Sequence, residues 1–199
     1  AGEEKSVAAT KTFVLTIIII IKIIFQTLGK NINSNIEILS NILMNDMHNQ
    51  WDTKIIDKST NVGFIIGRGV GYAIANEISL KFKELSQEMI EPFSSAEVMH
   101  GPKSLIQNSF KVFTMSLNDN SGNIVKRDSK EITNLTNLHY EISYTPENKN
   151  TLFYKSYELT VLDPIIILSK FYPFIINYSI EKGLDPDNPR YLTKVTKTF

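Results

Sequence analysis

The chain has no cysteine in its 199 residues, a single tryptophan, and no excess of charge of either sign. The absence of cysteine excludes disulfides, thiolate metal ligands and a cysteine nucleophile. Because 21 basic residues balance 21 acidic ones, nucleic-acid binding through counterion release is not expected. With 42% hydrophobic residues, the chain can bury a sizeable core in one domain, or in one domain and part of another. These totals predict a soluble, neutral globular protein in the cytoplasm.

The sequence also lacks an apolar run long enough to cross a membrane. Its most apolar segment, residues 13–25, contains Lys22 and is shorter than the roughly 20 residues that a spanning helix needs. Acidic residues precede it, where a secretory signal carries positive charge. Five consecutive isoleucines favour a strand by propensity, and a membrane anchor is a second alternative. A threonine and a glycine at its ends make a buried helix over residues 10–28 the preferred interpretation.

Apolar spacing along the rest of the chain predicts strands that alternate with helices. The predicted strands cover residues 62–66, 112–117 and 140–144, and a loop with at most one short strand covers 146–163. Further helices are predicted over residues 33–50, 126–138 and 164–182, and one long helix after the first strand ends near Met89. Alternation of this kind predicts an α/β three-layer sandwich, in which helices flank a parallel sheet.

The helix that ends near Met89 has two adjacent stripes when its residues are placed at about 100° intervals. One stripe is apolar and contains Ile74, Ile78, Phe82, Leu85 and Met89. The other stripe is charged and contains Glu77, Lys81, Glu84 and Glu88. Because the charged row lies beside the apolar one, it can line the edge of a cleft. The alternative is a solvated helix flank with ion pairs three and four residues apart.

Four blocks of sequence, in family order, resemble sugar isomerase (SIS) domains. They are S-V-A-A-T-K-T-F at 6–13, G-R-G-x-x-Y-A-I-A-x-E-x-x-L-K-x-K-E at 67–84, A-E-V-M-H-G-P at 96–102, and D-P-D-N-P-R-x-L-x-K-V-T at 185–196. The resemblance covers nearly the whole chain. It extends to the isomerase region of glutamine–fructose-6-phosphate aminotransferases and to stand-alone phosphosugar isomerases and glucosamine-6-phosphate deaminases.

The resemblance implies two tandem SIS domains of flavodoxin-like topology, of which this chain holds only the later part. Residues 1–28 would be the end of a first SIS domain, 29–60 a connecting helix, and 61–199 the second SIS domain with a C-terminal catalytic tail. The serine- and threonine-rich loop that binds the sugar phosphate in the family belongs to the missing first domain. A homodimer and a sugar-phosphate substrate are also implied, with no cofactor and no metal.

Family resemblance assigns the charged row to proton transfer. Moving a carbonyl between two sugar carbons requires a carboxylate close to both carbons, and the matching residue is Glu84. Lys81 would steady the enediolate or the sugar hydroxyls, and Glu77 would support this arrangement.

Three further assignments come from the same resemblance. Lys194 matches a lysine that forms an imine with the ketose carbonyl, for which the tail would have to fold over the cleft and desolvate it. His100 matches a ring-opening histidine that the neighbouring subunit contributes. The expected substrate-binding residues are Val7, Ala9, Thr10 and Thr193.

Four functional hypotheses remain open from the sequence. The first is the catalytic half of an aminosugar-phosphate isomerase or isomerising deaminase, since the chain has no cysteine to release ammonia from glutamine. The second is the isomerase end of a glutamine-dependent synthase. The third is a non-catalytic sugar-phosphate sensor, although such a sensor need not retain Glu84, His100 and Lys194. The fourth is a folded but inactive remnant of an interrupted gene.

Overall fold

Two helices form the first regular elements of the chain, which a computed structural model describes over residues 2–195. Helix α1 covers Lys11–Thr27 and α2 covers Asn33–Asn45. The helix predicted over 10–28 is present, so the isoleucine run is not a strand. The prediction that this helix is buried is wrong, because Ile21 is the only buried residue within Lys11–Thr27. The second predicted helix is also present, although it ends before residue 50.

The centre of the fold is a five-stranded, entirely parallel sheet. Its strands are β1 (Val62–Gly67), β2 (Met89–Ser94), β3 (Lys111–Ser116), β4 (His139–Ser143) and β5 (Thr151–Phe153). The strand order is β2-β1-β3-β4-β5, which is the flavodoxin-like order of doubly wound folds. The predicted α/β sandwich with a parallel sheet is therefore confirmed.

Helices cover both faces of this sheet. The remaining helices are α3 (Val70–Lys81), α4 (Ser95–His100), α5 (Asn120–Ile132) and α6 (Asp163–Glu181). The larger apolar cluster joins α1, α2, α3 and α6 to one face of the sheet. A smaller cluster, which includes Phe64, Val98 and Ile132, joins α4 and α5 to the other face. Each face thus buries apolar side chains, as a parallel sheet requires.

The long helix predicted to end near Met89 ends earlier, and its last turn is not α-helical. Helix α3 ends at Lys81 and continues as one π-helical turn, Phe82–Ser86. Gln87 then adopts a left-handed conformation, with φ of 55°, and the chain enters β2. The sequence analysis missed β2, which contains Pro92. Proline is atypical of strands because it donates no backbone hydrogen bond, but an edge strand such as β2 tolerates it.

Helix α5 also differs from its prediction, because it begins at Asn120 and ends at Ile132 instead of covering 126–138. Its N-cap is Asp119, whose carboxylate accepts a hydrogen bond from the backbone N–H of Gly122 at 2.7 Å. The turn-forming residues at 118–122 therefore start the helix, because an aspartate cap satisfies its first free N–H groups.

One helical stretch, Thr160–Glu181, is long and apolar enough to cross a membrane, with a mean hydropathy of 1.3 over its best window. However, 67% of that window is buried inside the protein. Its buried side chains, such as Phe171, Phe174 and Tyr178, belong to the larger apolar cluster. This stretch is therefore a core helix of the α/β sandwich.

Candidate functional site

Three charged side chains form a connected array at the end of α3. The Lys81 ammonium contacts Glu84 Oε2 at 2.8 Å and Glu77 Oε1 at 3.3 Å. The Lys81 and Glu77 side chains are only 2% and 6% exposed, so the solvated-flank alternative is wrong for these two residues. Glu84 lies in the π-helical turn and is 22% exposed. Glu84 is therefore the end of the array that an external molecule can reach.

The fourth residue of the predicted charged row, Glu88, does not join this array. The left-handed Gln87 turns the chain before Glu88, which instead lies fully buried against Lys111, Tyr178 and Lys182. Helical periodicity placed Glu88 with the other carboxylates only because it assumed an unbroken helix.

Tyr172, from the middle of α6, is a site residue that sequence reasoning missed. Its hydroxyl donates a hydrogen bond to Glu77 Oε1 at 2.9 Å. Burial raises the pKa of Glu77, while Lys81 and the Tyr172 hydroxyl act in the opposite direction. Burial and the neighbouring Glu77 carboxylate raise the pKa of Tyr172, so its hydroxyl stays protonated as a donor. None of the four sequence blocks contains Tyr172, and no sequence pattern relates it in space to Glu77.

A groove of about 360 Å³ is lined by residues from the π-helical turn, α6 and both ends of the chain. One wall is the segment before α1, and another is the start of the C-terminal tail. Leu85, the neighbour of Glu84 in the chain, also lines the groove. Its remaining lining residues are Ser6, Ala8, Thr10, Ile176, Ile180, Leu184, Asp185, Pro186 and Asp187.

The segment before α1 is held in place by Glu4. The Glu4 carboxylate accepts hydrogen bonds from the backbone N–H of Thr12 at 2.9 Å and of Thr10 at 3.3 Å. It therefore caps α1, since Thr10 makes no side-chain cap of its own. The predicted binding residues Val7, Ala9 and Thr10 all lie between this anchor and the helix.

Lys194 lies against the same segment, because its ammonium donates a hydrogen bond to the Ser6 carbonyl at 2.7 Å. The tail before it is ordered by Asp185, whose carboxylate accepts hydrogen bonds from Asp187 and Asn188. Lys194 and Thr193 are nevertheless exposed, so the described residues do not provide the desolvation expected around Lys194. Thr196, the last residue of the C-terminal block, lies outside the described residues.

His100 is not brought close to Glu84 within one chain. It is the last residue of α4, beyond the carboxyl end of β2, whereas Glu84 precedes the amino end of β2. Six strand residues at about 3.3 Å each separate the two positions by roughly 20 Å. His100 is exposed, so it remains available to a neighbouring molecule.

Within residues 2–195, no group of three or more histidine, aspartate or glutamate side chains is arranged to hold a metal ion. The site consists instead of a buried carboxylate–lysine array, a groove, and a lysine on the tail that contacts the groove wall.

The strand order and this array define the chain as a flavodoxin-like α/β protein with a charged site at the end of α3. Residues 58–152 match the protein family described as the SIS domain. This part of the chain is an SIS domain.

Curated relatives that match include glutamine–fructose-6-phosphate aminotransferases. The protein from Sulfolobus acidocaldarius is 28% identical over 98% of this chain and 33% of its own length. That from Buchnera aphidicola is 33% identical over 71% of this chain and 23% of its own length. The chain thus spans about a quarter to a third of these relatives, and it resembles their isomerase region.

Solved structures share the fold. A protein from Silicibacter pomeroyi, described as a candidate phosphosugar isomerase, is 27% identical with a TM-score of 0.79, over 94% of this chain and 58% of its own. Glucosamine-6-phosphate deaminase from Thermotoga maritima is 19% identical with a TM-score of 0.71, over 97% of this chain and 58% of its own. At that identity, the second likeness concerns the fold alone.

Proposed function

We propose that this chain is the C-terminal SIS portion of an aminosugar-phosphate isomerase or isomerising deaminase, which acts on glucosamine 6-phosphate or fructose 6-phosphate. The observation that carries the proposal is the Glu77–Lys81–Glu84 array, whose chain neighbour Leu85 lines a groove, together with the contact of Lys194 with Ser6 in the wall of that groove. A carboxylate and a primary amine near one groove are the two groups that carbonyl transfer on a sugar phosphate needs.

In the proposed reaction, each of these residues acts at a separate step. His100 of a neighbouring subunit opens the sugar ring by proton transfer. The Lys194 amine then attacks the ketose carbonyl carbon, and one water leaves as the imine forms. Water then hydrolyses the imine, which frees the Lys194 amine and leaves the open-chain ketose. Glu84 removes the proton from one sugar carbon and returns it to the next, while Lys81 stabilises the enediolate charge. Glu77 and Tyr172 keep Lys81 in position.

The groove supplies substrate contacts in this proposal. Thr10 lines the groove itself. Val7 and Ala9, from the same segment, and Thr193, from the tail, are not among its lining residues, and we propose that they contact the substrate from beside it. The sugar phosphate itself binds to the serine- and threonine-rich loop of a first SIS domain, which this chain does not contain.

A second candidate is the isomerase end of a glutamine-dependent synthase. It is supported by the curated relatives, which are glutamine–fructose-6-phosphate aminotransferases and match this chain over part of their own length. A non-catalytic sugar-phosphate-binding module is a third candidate, and the joint presence of Glu84, His100 and Lys194 argues against it.

The apolar surface of the first two helices supports a docking partner. Ile19, Ile20, Ile23 and Ile24 on α1 are 51–57% exposed, and Met44 on α2 is 67% exposed. Exposed apolar side chains in such a group mark interaction sites. We therefore assign residues 1–28 to the end of a first SIS domain, 29–60 to a connector and 61–199 to the second domain. Association as a homodimer in the cytoplasm completes the proposal.

Trapping with borohydride tests the imine role directly. Full-length protein is incubated with fructose 6-phosphate, and borohydride reduces any imine to a stable secondary amine. We expect one sugar-phosphate adduct on Lys194 by peptide mass spectrometry, absent in Lys194→Arg and retained in Lys83→Arg. An unlabelled Lys194 in protein that still isomerises the sugar would remove the imine step.

A further inference from the structure

A second cavity, of about 410 Å³, lies on the sheet face opposite the Glu84 array. It is bounded by α5, β4 and the loop between β4 and β5. His139 and Glu141 form its floor, and Lys126 and Lys130 lie on the α5 side. Neither the proposed reaction nor the family blocks in the sequence use any of these residues.

The floor of this cavity is unusually polar for a parallel sheet, whose strands are typically apolar on both faces. The Glu141 residue is only 5% exposed, and Ser116 donates to its Oε1 at 3.1 Å. His139 Nε2 lies 2.9 Å from the Thr114 hydroxyl. Among residues 2–195, neither Glu141 Oε2 nor His139 Nδ1 has a hydrogen-bond partner. Glu141 Oε2 can therefore accept a hydrogen bond from a molecule in the cavity, and His139 Nδ1 can accept or donate one, according to the imidazole tautomer.

Burial controls the charge of these two floor groups. It lowers the pKa of His139 to about 4, so the imidazole is neutral near pH 7. Burial also raises the pKa of Glu141, and the neighbouring Glu147 carboxylate adds to this rise. A hydroxyl group, which can donate or accept a hydrogen bond, suits both floor groups, and an amine suits the Glu141 oxygen.

The α5 side of the cavity is cationic. Lys126 already pairs with Glu147 at 2.7 Å, but Lys130 makes no ion pair within the described residues. Arg127 is 74% exposed and pairs with its neighbour Asp128. Lys130 and Arg127 thus provide positive charge at the rim, at a distance from the acceptors on the floor. An anionic group suits the rim.

We propose that this cavity binds a small hydroxylated phosphate monoester, with its phosphate on Lys130 and Arg127 and its hydroxyl or amino groups on Glu141 and His139. The volume lies within the range of about 300–1,000 Å³ that is typical of small-molecule sites. The proposal does not depend on catalysis at Glu84, because the two sites lie on opposite faces of the sheet.

An NMR titration of the ¹⁵N-labelled chain with glucosamine 6-phosphate tests the proposal. We expect amide shifts in residues 123–130 and 139–148. Lys130→Gln should weaken this binding about tenfold or more, because it removes a charge-assisted hydrogen bond. Lys130 is exposed, so this variant should fold normally. Lys155→Gln, at another exposed lysine, should bind like the unmodified chain.

A titration with inorganic phosphate tests whether the floor of the cavity recognises the hydroxyl or amino groups of the ligand. Phosphate alone should bind at least about tenfold more weakly than the sugar phosphate, because it reaches only the rim. Equal affinity for both probes, or equal affinity of Lys130→Gln and the unmodified chain, would overturn the proposal. Shifts confined to residues 6–10 and 184–187 would place the binding in the other groove and would also overturn it.

Discussion

Lys81 is the residue on which the candidate site depends most, because its ammonium neutralises two carboxylates at once. It is almost fully buried, and its two contacts are at 2.8 and 3.3 Å. A buried ammonium is costly to desolvate unless it is paired. Conversely, the Glu77 carboxylate depends on Lys81 and Tyr172 for its charged form. The array is therefore a unit in which one substitution affects every member.

Replacing Lys81 with methionine should strongly destabilise the protein. The change leaves Glu77 buried without its cation, and breaking a buried pair costs about 3–5 kcal/mol. Urea denaturation measures the free energy of unfolding. Lys83→Met is the matched control, because Lys83 pairs with Glu91 on the surface, where the loss should be at most about 1 kcal/mol. Similar losses in both variants would contradict the buried character of the array.

His139 should make stability dependent on pH. Its pKa is lowered to about 4 in the folded protein by burial, against a usual value of about 6.5. Because the unfolded chain takes up the proton first, stability should fall as pH decreases from about 6.5 to about 4, by up to about 3 kcal/mol. Subtracting the unfolding curve of His139→Asn isolates this contribution from Glu141. A flat difference curve would contradict the burial of the imidazole.

At the scale of elements, the break after α3 decides which carboxylates share a site. The π-helical turn carries Glu84 beside Lys81, and the left-handed Gln87 then directs the chain into β2. Glu88, two residues beyond the turn, reaches a different charge cluster. Glu84 and Glu88, which the sequence predicts to share one stripe, thus pair with different lysines.

Gln87→Gly should stabilise the protein, because glycine adopts the left-handed conformation without the strain of a side chain. The expected gain is at most about 1 kcal/mol. The same substitution at Gln26, in the last turn of α1, should cost up to about 1 kcal/mol. Thermal denaturation of the two variants should therefore give shifts of opposite sign. A loss of stability at Gln87 would show that its side chain matters more than its backbone.

The sequence predicts much of this fold, because apolar residues at helical spacing indicate helices and short continuous apolar runs indicate buried strands. It also predicts the Glu77–Lys81–Glu84 row, whose members lie within two helical turns. It could not predict Tyr172, since that contact joins positions 95 residues apart. It could not predict β2 either, because Pro92 masks a strand that only its edge position allows. The roles of Lys194 and His100 rest on resemblance, and remain predictions.

At the scale of the whole molecule, the isoleucines of α1 form an apolar surface that a single chain leaves exposed to solvent. We expect the chain to associate through this surface. Ile20→Lys combined with Ile24→Lys should shift the chain to monomer, as measured by size-exclusion chromatography with light scattering. Lys22→Glu on the same helix is the control for a change of charge alone. A chain that is monomeric before any substitution would contradict the proposed docking surface.

The central claim is that Glu84 transfers the proton between two carbons of a sugar phosphate. The most direct test is exchange of the C1 proton of fructose 6-phosphate, or of the C2 proton of the aldose, with deuterium from the solvent, followed by NMR on the full-length protein. We predict that Glu84→Gln slows this exchange by about 10²-fold or more, while borohydride trapping at Lys194 persists. Exchange at an undiminished rate in Glu84→Gln would contradict the account.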